Sequence, residues 1–462
     1  MKDFTTASFS PDAVRTRFSL ALSAMYKKEV PLYGDLINIV NDVDDDVVRK
    51  QARPELAQRH RLERHGAIRL GTQHELRTIG RLFAIFGMHP VGYYDLSVVG
   101  FPLHATAFRP IATESLAKNP FRIFTTLLRS DLVSENVREF ALKALAKRNL
   151  FTDRLLQLID QAEVTNTLSE SEIDELLVES LKIFKWHSVA IVSHEEYTRL
   201  LSEHPMVADI ASFPSAHINH LTPRTLDIDQ VQQIMIDGGL PAKERIEGPP
   251  PRKCEILLRQ TSFKALEEEV RFYGADGSLV IGSHTARFGE VEQRGAAVTR
   301  KGRDLYDQLL SRARAEMSHN VSVAPNEILK ATFKSYPDDW NELRKQTLTF
   351  NYYKPTIHGR EKAGKGELSS TQLSQLIDDG LVQFEPITYE DFLPVSAAGI
   401  FTSNLRSASS EGLMKVGNAD RAGFERDLGG PVADEFKLYE TMQKESIEKC
   451  REVLGMGVIS LE

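Results

Sequence analysis

EVRFYGADGSLVIGSHTARFGEVEQRG, residues 269–295, is the stretch whose reading decides the fold class. It contains strand-like runs on either side of Asp276-Gly277, a pair that suits a tight turn because both residue types tolerate positive φ. Just upstream, CEILLRQTSF (254–263) reads as a further strand-rich run. Short strands joined by turns build an antiparallel sheet, so a β core is expected in this half of the chain.

Moving outward, a second β-like region precedes it: HGAIRLGT (65–72), LFAIFGMHPVGYYDLS (82–97) and HATAFRP (104–110), rich in glycine, aromatics and histidine, read as strands and turns. The rest of the first 200 residues reads mainly helical. Ser10-Pro11-Asp12 is a helix start, with Val14, Phe18, Leu22 and Met25 following at helical spacing. Ser169 and Glu172 form a capping-box pair ahead of Ile173, Leu176, Leu177, Leu181 and Phe184. GPPPR (248–252) reads as a rigid spacer and YKPTIHGREKAGKGELSS (353–370) as a charged loop. A final helix is expected from Asp434 to about Leu454, within 430–456, with Cys450 near its apolar side. The fold class is therefore α+β, a central, mostly antiparallel sheet wrapped by many helices.

At 462 residues the chain can bury a large core without staples. Fifty-seven basic against 65 acidic side chains leave a net charge of −8, which argues against a nucleic-acid or anionic-membrane surface. Two cysteines, Cys254 and Cys450, are too few for a disulfide framework, and a reducing cytoplasm fits. No signal peptide and no apolar run of about 18 residues is visible. No protein partner can be inferred.

The chain carries no P-loop, dinucleotide fingerprint, HExxH, nucleophile elbow or CxxC pair, so nucleotide-dependent and serine-hydrolase chemistry have little support. Histidine remains, thirteen in all, and three local contexts in the chain stand out, two of them with histidines and one with paired acids. In HGAIR, His65 and Arg69 stand four apart and share a side in either a helix or a strand. In HINHLTPR, His217 and His220 share a polar cluster, and spacing does not choose between them. In FGEVEQRG, Glu290 and Glu292 face the same way in a strand, and either could reach a metal. Two histidines and one carboxylate from distant segments form a facial triad with open coordination positions, a set that suits Fe(II) but also Zn, Mn, Co or Ni.

The stretches YKKEVPLYGDL (26–36), ERHGAIRLGT (63–72), MHPVGYYDLS (88–97), FPLHATAFRP (101–110), NPFRIFTTLLR (119–129), HINHLTPRTLDID (217–229), SHTARFGEVEQRGAAVTRKGRDLYD (283–307) and YEDFLPVSAAGIF (389–401) resemble one known family. That family is the 2-oxoadipate dioxygenase/decarboxylases, also called D-2-hydroxyglutarate synthases. The resemblance implies a half-barrel sheet of the vicinal-oxygen-chelate kind, a metal held by His65, His220 and Glu290, and Fe(II) as that metal. It also implies Arg69 as the substrate-specificity residue and Val395 and Ser396 as substrate-contacting positions, with His217 and Glu292 in support. The implied reaction converts 2-oxoadipate, a 2-oxo dicarboxylic acid, and O2 into (R)-2-hydroxyglutarate and CO2, in lysine breakdown. The implied layout is one elaborated catalytic unit over 1–462. In it 1–60 and 111–205 are mainly helical, and 61–110, 206–310 and 380–405 supply the metal-site sheet and loops. The alternatives are another metal-dependent enzyme on the same scaffold, such as an isomerase or a ring-cleaving dioxygenase, or a non-catalytic binder of metal or keto acid.

Overall fold

The computed structural model of the chain describes residues 2–5, 7–51, 56, 58–274, 276–320, 322–368, 371–393 and 417–460. Their strands are β1 (His65–Leu70), β2 (His89–Asp95), β3 (Leu103–Arg109), β4 (Arg122–Leu128), β5 (Val189–Ser193) and β6 (His220–Thr222). They continue with β7 (Leu258–Ser262), β8 (Glu267–Tyr273), β9 (Leu279–Thr285), β10 (Glu290–Arg294), β11 (Asn351–Pro355) and β12 (Val382–Pro386). Contacts divide the chain into two compact units. One comprises Met1–Glu247, Arg259–Gln293 and Asp391–Ala433; the other comprises Gly248–Leu258, Arg294–Glu390 and Asp434–Glu462.

The larger unit is organised on a five-stranded sheet of order β2-β3-β4-β1-β6. Its β1–β4 pairing is parallel and the other pairings are antiparallel, in keeping with the α+β reading. Every residue of β1, β3 and β4 is buried, the pattern of strands covered on both faces. A second sheet, β5-β8-β9, contains the hairpin expected around Asp276-Gly277, with β8 and β9 antiparallel. β7 and β10 form a separate pair.

Helices cover this unit where capping signals place them. Ser10 caps the helix Pro11–Glu29 by accepting from the Ala13 amide, and Ser169 with Glu172 forms the expected capping box on Glu170–Phe184. Tyr26, not Met25, continues the buried stripe of the first helix. Its hydroxyl stands 3.0 Å from the Asn219 carbonyl and 2.7 Å from that of Phe288, tying down the residues that lead into β6 and β10. Burial raises the Tyr26 pKa, so the hydroxyl keeps its proton and donates.

Two local expectations are corrected and a third gains detail. LFAI (82–85) ends the helix Gln73–Ile85 instead of forming a strand. Gly87, at φ +65°, closes that helix, with the Met88 amide donating to the Phe83 carbonyl at 2.9 Å. The stretch 111–205 holds β4 and β5 among its helices, and the apolar and β-branched run RIFTTLL of β4 suits a fully buried strand. In the smaller unit, the loop expected over 353–370 instead holds the end of β11 and a helix, Ile357–Gly364, capped by Thr356. Gly359 hid that helix. It is needed there because a Cβ would stand 2.1 Å from the Leu381 carbonyl oxygen.

In the same unit β11 and β12 pair antiparallel, and the helix Glu435–Val453 packs Ile447 and Cys450 into a core with Tyr353, Leu376 and Val382. Both cysteines are buried and free. No described helix is long and apolar enough to cross a membrane.

Removing the Tyr26 hydroxyl should leave the buried Phe288 carbonyl short of a donor, while the Asn219 carbonyl keeps the Phe288 amide at 3.1 Å. Tyr26→Phe is expected to lower stability by about 1–3 kcal/mol in denaturant titration, whereas a variant at exposed Leu20 should stay near wild type.

Candidate metal centre

β1 sets the geometry. His65, Ala67 and Arg69 project from one face of this strand and Gly66 and Ile68 from the other. On β6, His220 lies directly opposite Ala67 and Thr222 opposite His65, so these side chains share the face of His65 and Arg69. Arg122 and Phe124 of β4 lie beside His65 and Ala67 on that same face. The reverse face is packed shut. A Cβ on Gly66 would stand 2.8 Å from Ile218 Cδ1 and 2.9 Å from Leu221 Cδ2, so glycine there lets β1 and β6 close together.

β10 supplies the acids. Glu290 Oε1 lies 2.8 Å from His65 Nε2, and Glu292 Oε2 lies 2.8 Å from His65 Nδ1. Two carboxylates at alternate positions of one strand therefore hold opposite nitrogens of one imidazole. Their remaining contacts differ. Glu292 Oε1 is 3.2 Å from Arg122 Nη2 and 3.7 Å from Arg64 Nε, so that carboxylate is neutralised by buried guanidinium groups. Glu290 Oε1 accepts from Gln260 Nε2 at 2.7 Å and Thr222 Oγ1 at 3.2 Å, but its Oε2 is buried with no hydrogen-bond partner. The Nδ1 atom of His220 is likewise buried and unpartnered.

Buried polar atoms are rarely left unmatched, and a cluster of them marks the position of a ligand or ion. One donor atom each from His65, His220 and Glu290 lies within 4.8 Å of the others. Charge agrees as well. Burial pushes the His220 imidazole down to about 3, so it is neutral and offers a lone pair. Burial works to raise the Glu290 carboxyl, yet the polar groups around it, Lys243 among them, bring it below its ordinary value. With Nδ1–H of His65 donated to Glu292, Nε2 is left to face the shared centre, the arrangement by which an outer carboxylate orients a histidine ligand. The residues present fit a divalent metal.

Aromatic rings wall this centre. His220 stacks on Phe288 with ring centres 4.6 Å apart, and Phe392 stands perpendicular to the His65 ring with centres 4.8 Å apart while packing on Phe124 and Tyr94. Phe392 follows Asp391, which is held by a bidentate buried pair with Arg109 at 2.7 and 2.9 Å.

Arg69 lies on the same face but joins a second cluster. Its Nη1 meets Asp209 Oδ2, and Asp209 Oδ1 accepts from His217 Nε2 at 3.1 Å and His284 Nε2 at 2.8 Å. His217 thus stands with Asp209 and away from the first cluster's donor set. Val395 and Ser396 lie outside the described residues. Gln260, Thr222, Asp209 and His284 escaped the sequence reading. For Gln260 a signal existed: RQTS (259–262) is a polar run inside an otherwise apolar stretch, and all four residues are buried.

A mixed sheet that brings two buried imidazoles and a carboxylate within 4.8 Å of one another offers the donor set of the non-haem metal proteins. A sequence profile of the family 2-oxoadipate dioxygenase/decarboxylase matches residues 18–404. A 2-oxoadipate dioxygenase/decarboxylase of Pseudomonas putida is 47% identical over 97% of this chain and 98% of its own. That of Escherichia coli K12 is 47% identical over 96% and 99%. The solved hydroxyglutarate synthase of Pseudomonas putida in complex with 2-oxoadipate superposes with a TM-score of 0.87 at 46% identity, covering 97% of this chain and 99% of that one. The chain belongs to the 2-oxoadipate dioxygenase/decarboxylase family.

The unequal surroundings of the two acids give a direct contrast. Glu290→Gln should abolish tight Fe(II) or Zn(II) binding in calorimetry. Glu292→Gln should retain the site but weaken it about 10–100-fold, the effect of losing an outer carboxylate. Equal losses in the two variants would contradict this division of roles.

Proposed function

We infer that this chain is an Fe(II)-dependent enzyme that converts 2-oxoadipate and O2 into 2-hydroxyglutarate and CO2. The observation that carries the reading is the pair of buried, unpartnered atoms, Glu290 Oε2 and His220 Nδ1, beside an imidazole already oriented by Glu292. Family membership and the 2-oxoadipate held by the Pseudomonas putida relative support the choice of reaction and substrate class.

His65, His220 and Glu290 hold the metal in this reading. A bound ferrous ion supplies Lewis acidity toward the keto and carboxylate oxygens of a 2-oxo acid, and electrons for O2. The remaining work falls to the chain. Glu292 keeps the proton on Nδ1 of His65 and so keeps Nε2 available. Gln260 and Thr222 hold one oxygen of Glu290 and thereby direct the other. Phe288 and Phe392 exclude water from the imidazole edges, which strengthens the electrostatic interactions within. Arg69, four residues beyond His65 on the same face of β1, meets the distal carboxylate of the acid through its planar fork, with Val395 and Ser396 as further substrate positions. The balance closes: one carbon leaves as CO2, both atoms of O2 enter the products, and the five-carbon acid gains one hydroxyl. A reducing cytoplasm suits both a ferrous ion and two free cysteines.

Aerobic incubation of the Fe(II)-loaded protein with 2-oxoadipate should consume one O2 and release one CO2 per acid, yielding 2-hydroxyglutarate, and His65→Ala should bring both to background. An isomerase would consume no O2, and a ring-cleaving dioxygenase would release no CO2. Undiminished CO2 release by metal-stripped His65→Ala protein would overturn the reading.

A further inference from the structure

Asp209 lies on the helix Pro205–Ser212 and is almost wholly buried, yet it is no ligand of the centre described above. Its two oxygens are fully used. Oδ2 meets Arg69 Nη1, and Oδ1 accepts from Nε2 of both His217 and His284. On the far side, Tyr197 OH lies 2.9 Å from His284 Nδ1, so that ring is fixed at both nitrogens. Trp186 and Phe213 enclose the two imidazoles.

His217, His284 and Asp209 also have metal-like spacing. The partners argue otherwise. A guanidinium bears directly on Asp209, so a divalent cation there would meet a like charge at close range. Both Asp209 oxygens and both His284 nitrogens already have hydrogen-bond partners, which leaves only His217 Nδ1 without one among these three residues, whereas the first centre keeps a carboxylate oxygen, Glu290 Oε2, as well as His220 Nδ1. Two histidines donating to one carboxylate instead fix its orientation, and a fixed carboxylate fixes the arginine. A free arginine side chain loses rotamer entropy when it is immobilised, so holding it in place beforehand strengthens recognition of an anion. Five N–H donors make the guanidinium able to keep Asp209 and still serve a second carboxylate.

We propose that Asp209, oriented by His217 and by the Tyr197–His284 pair, is a positioning residue that presents Arg69 to the distal carboxylate of the substrate and so determines selection of dicarboxylic over monocarboxylic 2-oxo acids. This rests on the reading of Arg69 as the residue that meets that carboxylate. Asp209 touches neither the metal ligands nor the reacting atoms; it acts through Arg69.

The test is anaerobic calorimetry on the full-length, Fe(II)-loaded chain with 2-oxoadipate and with 2-oxohexanoate, which has the same length and lacks the distal carboxylate. Wild type should favour 2-oxoadipate. Asp209→Asn, which preserves size and removes charge, should cut that preference by about tenfold or more, with 2-oxohexanoate affinity and the single equivalent of iron retained. Tyr197→Phe removes only the hydroxyl on His284 and should move the preference the same way by a smaller factor, so it carries the test if Asp209→Asn fails to fold. Equal weakening toward both acids overturns the proposal. So does a second equivalent of iron in wild type that Asp209→Asn loses. Wild-type protein that discriminates in binding, and loses that discrimination in Asp209→Asn, but releases no CO2 supports the proposal and counts against the functional reading.

Discussion

One imidazole, gripped at both nitrogens by two carboxylates of a single strand, sets the terms for the rest of the site. His65 meets Glu290 through Nε2 and Glu292 through Nδ1, each at 2.8 Å and all in the protein interior. Burying two carboxylates this close is costly unless each finds compensating charge. Arg64 and Arg122 provide it for Glu292. Glu290 has only neutral amide and hydroxyl donors besides its histidine neighbours, and no described lysine or arginine pairs with it directly. The electrostatic shortfall at Glu290 is what a divalent cation would make good.

The sheet exists in the form that this grip requires. β1 lies between β4 and β6, so His65 acquires Arg122 on one side and Thr222 on the other, while His220 sits across from Ala67. A larger residue than alanine at 67 would stand between His65 and Arg69 on the working face, and a larger one than glycine at 66 would push β6 away on the reverse face. The hydroxyl of Tyr26 then holds the carbonyls of Asn219 and Phe288, the residues one and two before His220 and Glu290. Candidate donors from three segments distant in sequence are thus brought within 4.8 Å of one another chiefly by backbone placement, and their side chains inherit that precision.

Much of this was legible in the sequence, and the gaps have physical causes. The HGAIR, HINHLTPR and GEVEQRG stretches are where the donors lie, and period-two alternation correctly put Glu290 and Glu292 on one face. Alternation could not separate them, because what distinguishes them is which acid is reached by Arg64 and Arg122, and those contacts span some 170 residues or more of chain. The same holds for His217 and His220: a spacing of three says nothing about Asp209, which holds one of them. Asp209 itself gave no signal, since its meaning depends on Arg69, His217 and His284, from three other segments. The helix Ile357–Gly364 was masked by a glycine serving close packing, and β4 by the helical character of its flanks.

The most direct measurement is a crystal structure of the iron-loaded protein with diffraction recorded on both sides of the iron absorption edge. The account predicts one anomalous peak, bonded at about 2.0–2.3 Å to His65 Nε2, to a ring nitrogen of His220 and to Glu290, with Glu292 remaining on His65 Nδ1. A peak ligated by Glu292 in place of Glu290, or one seated among Asp209, His217 and His284, would contradict it.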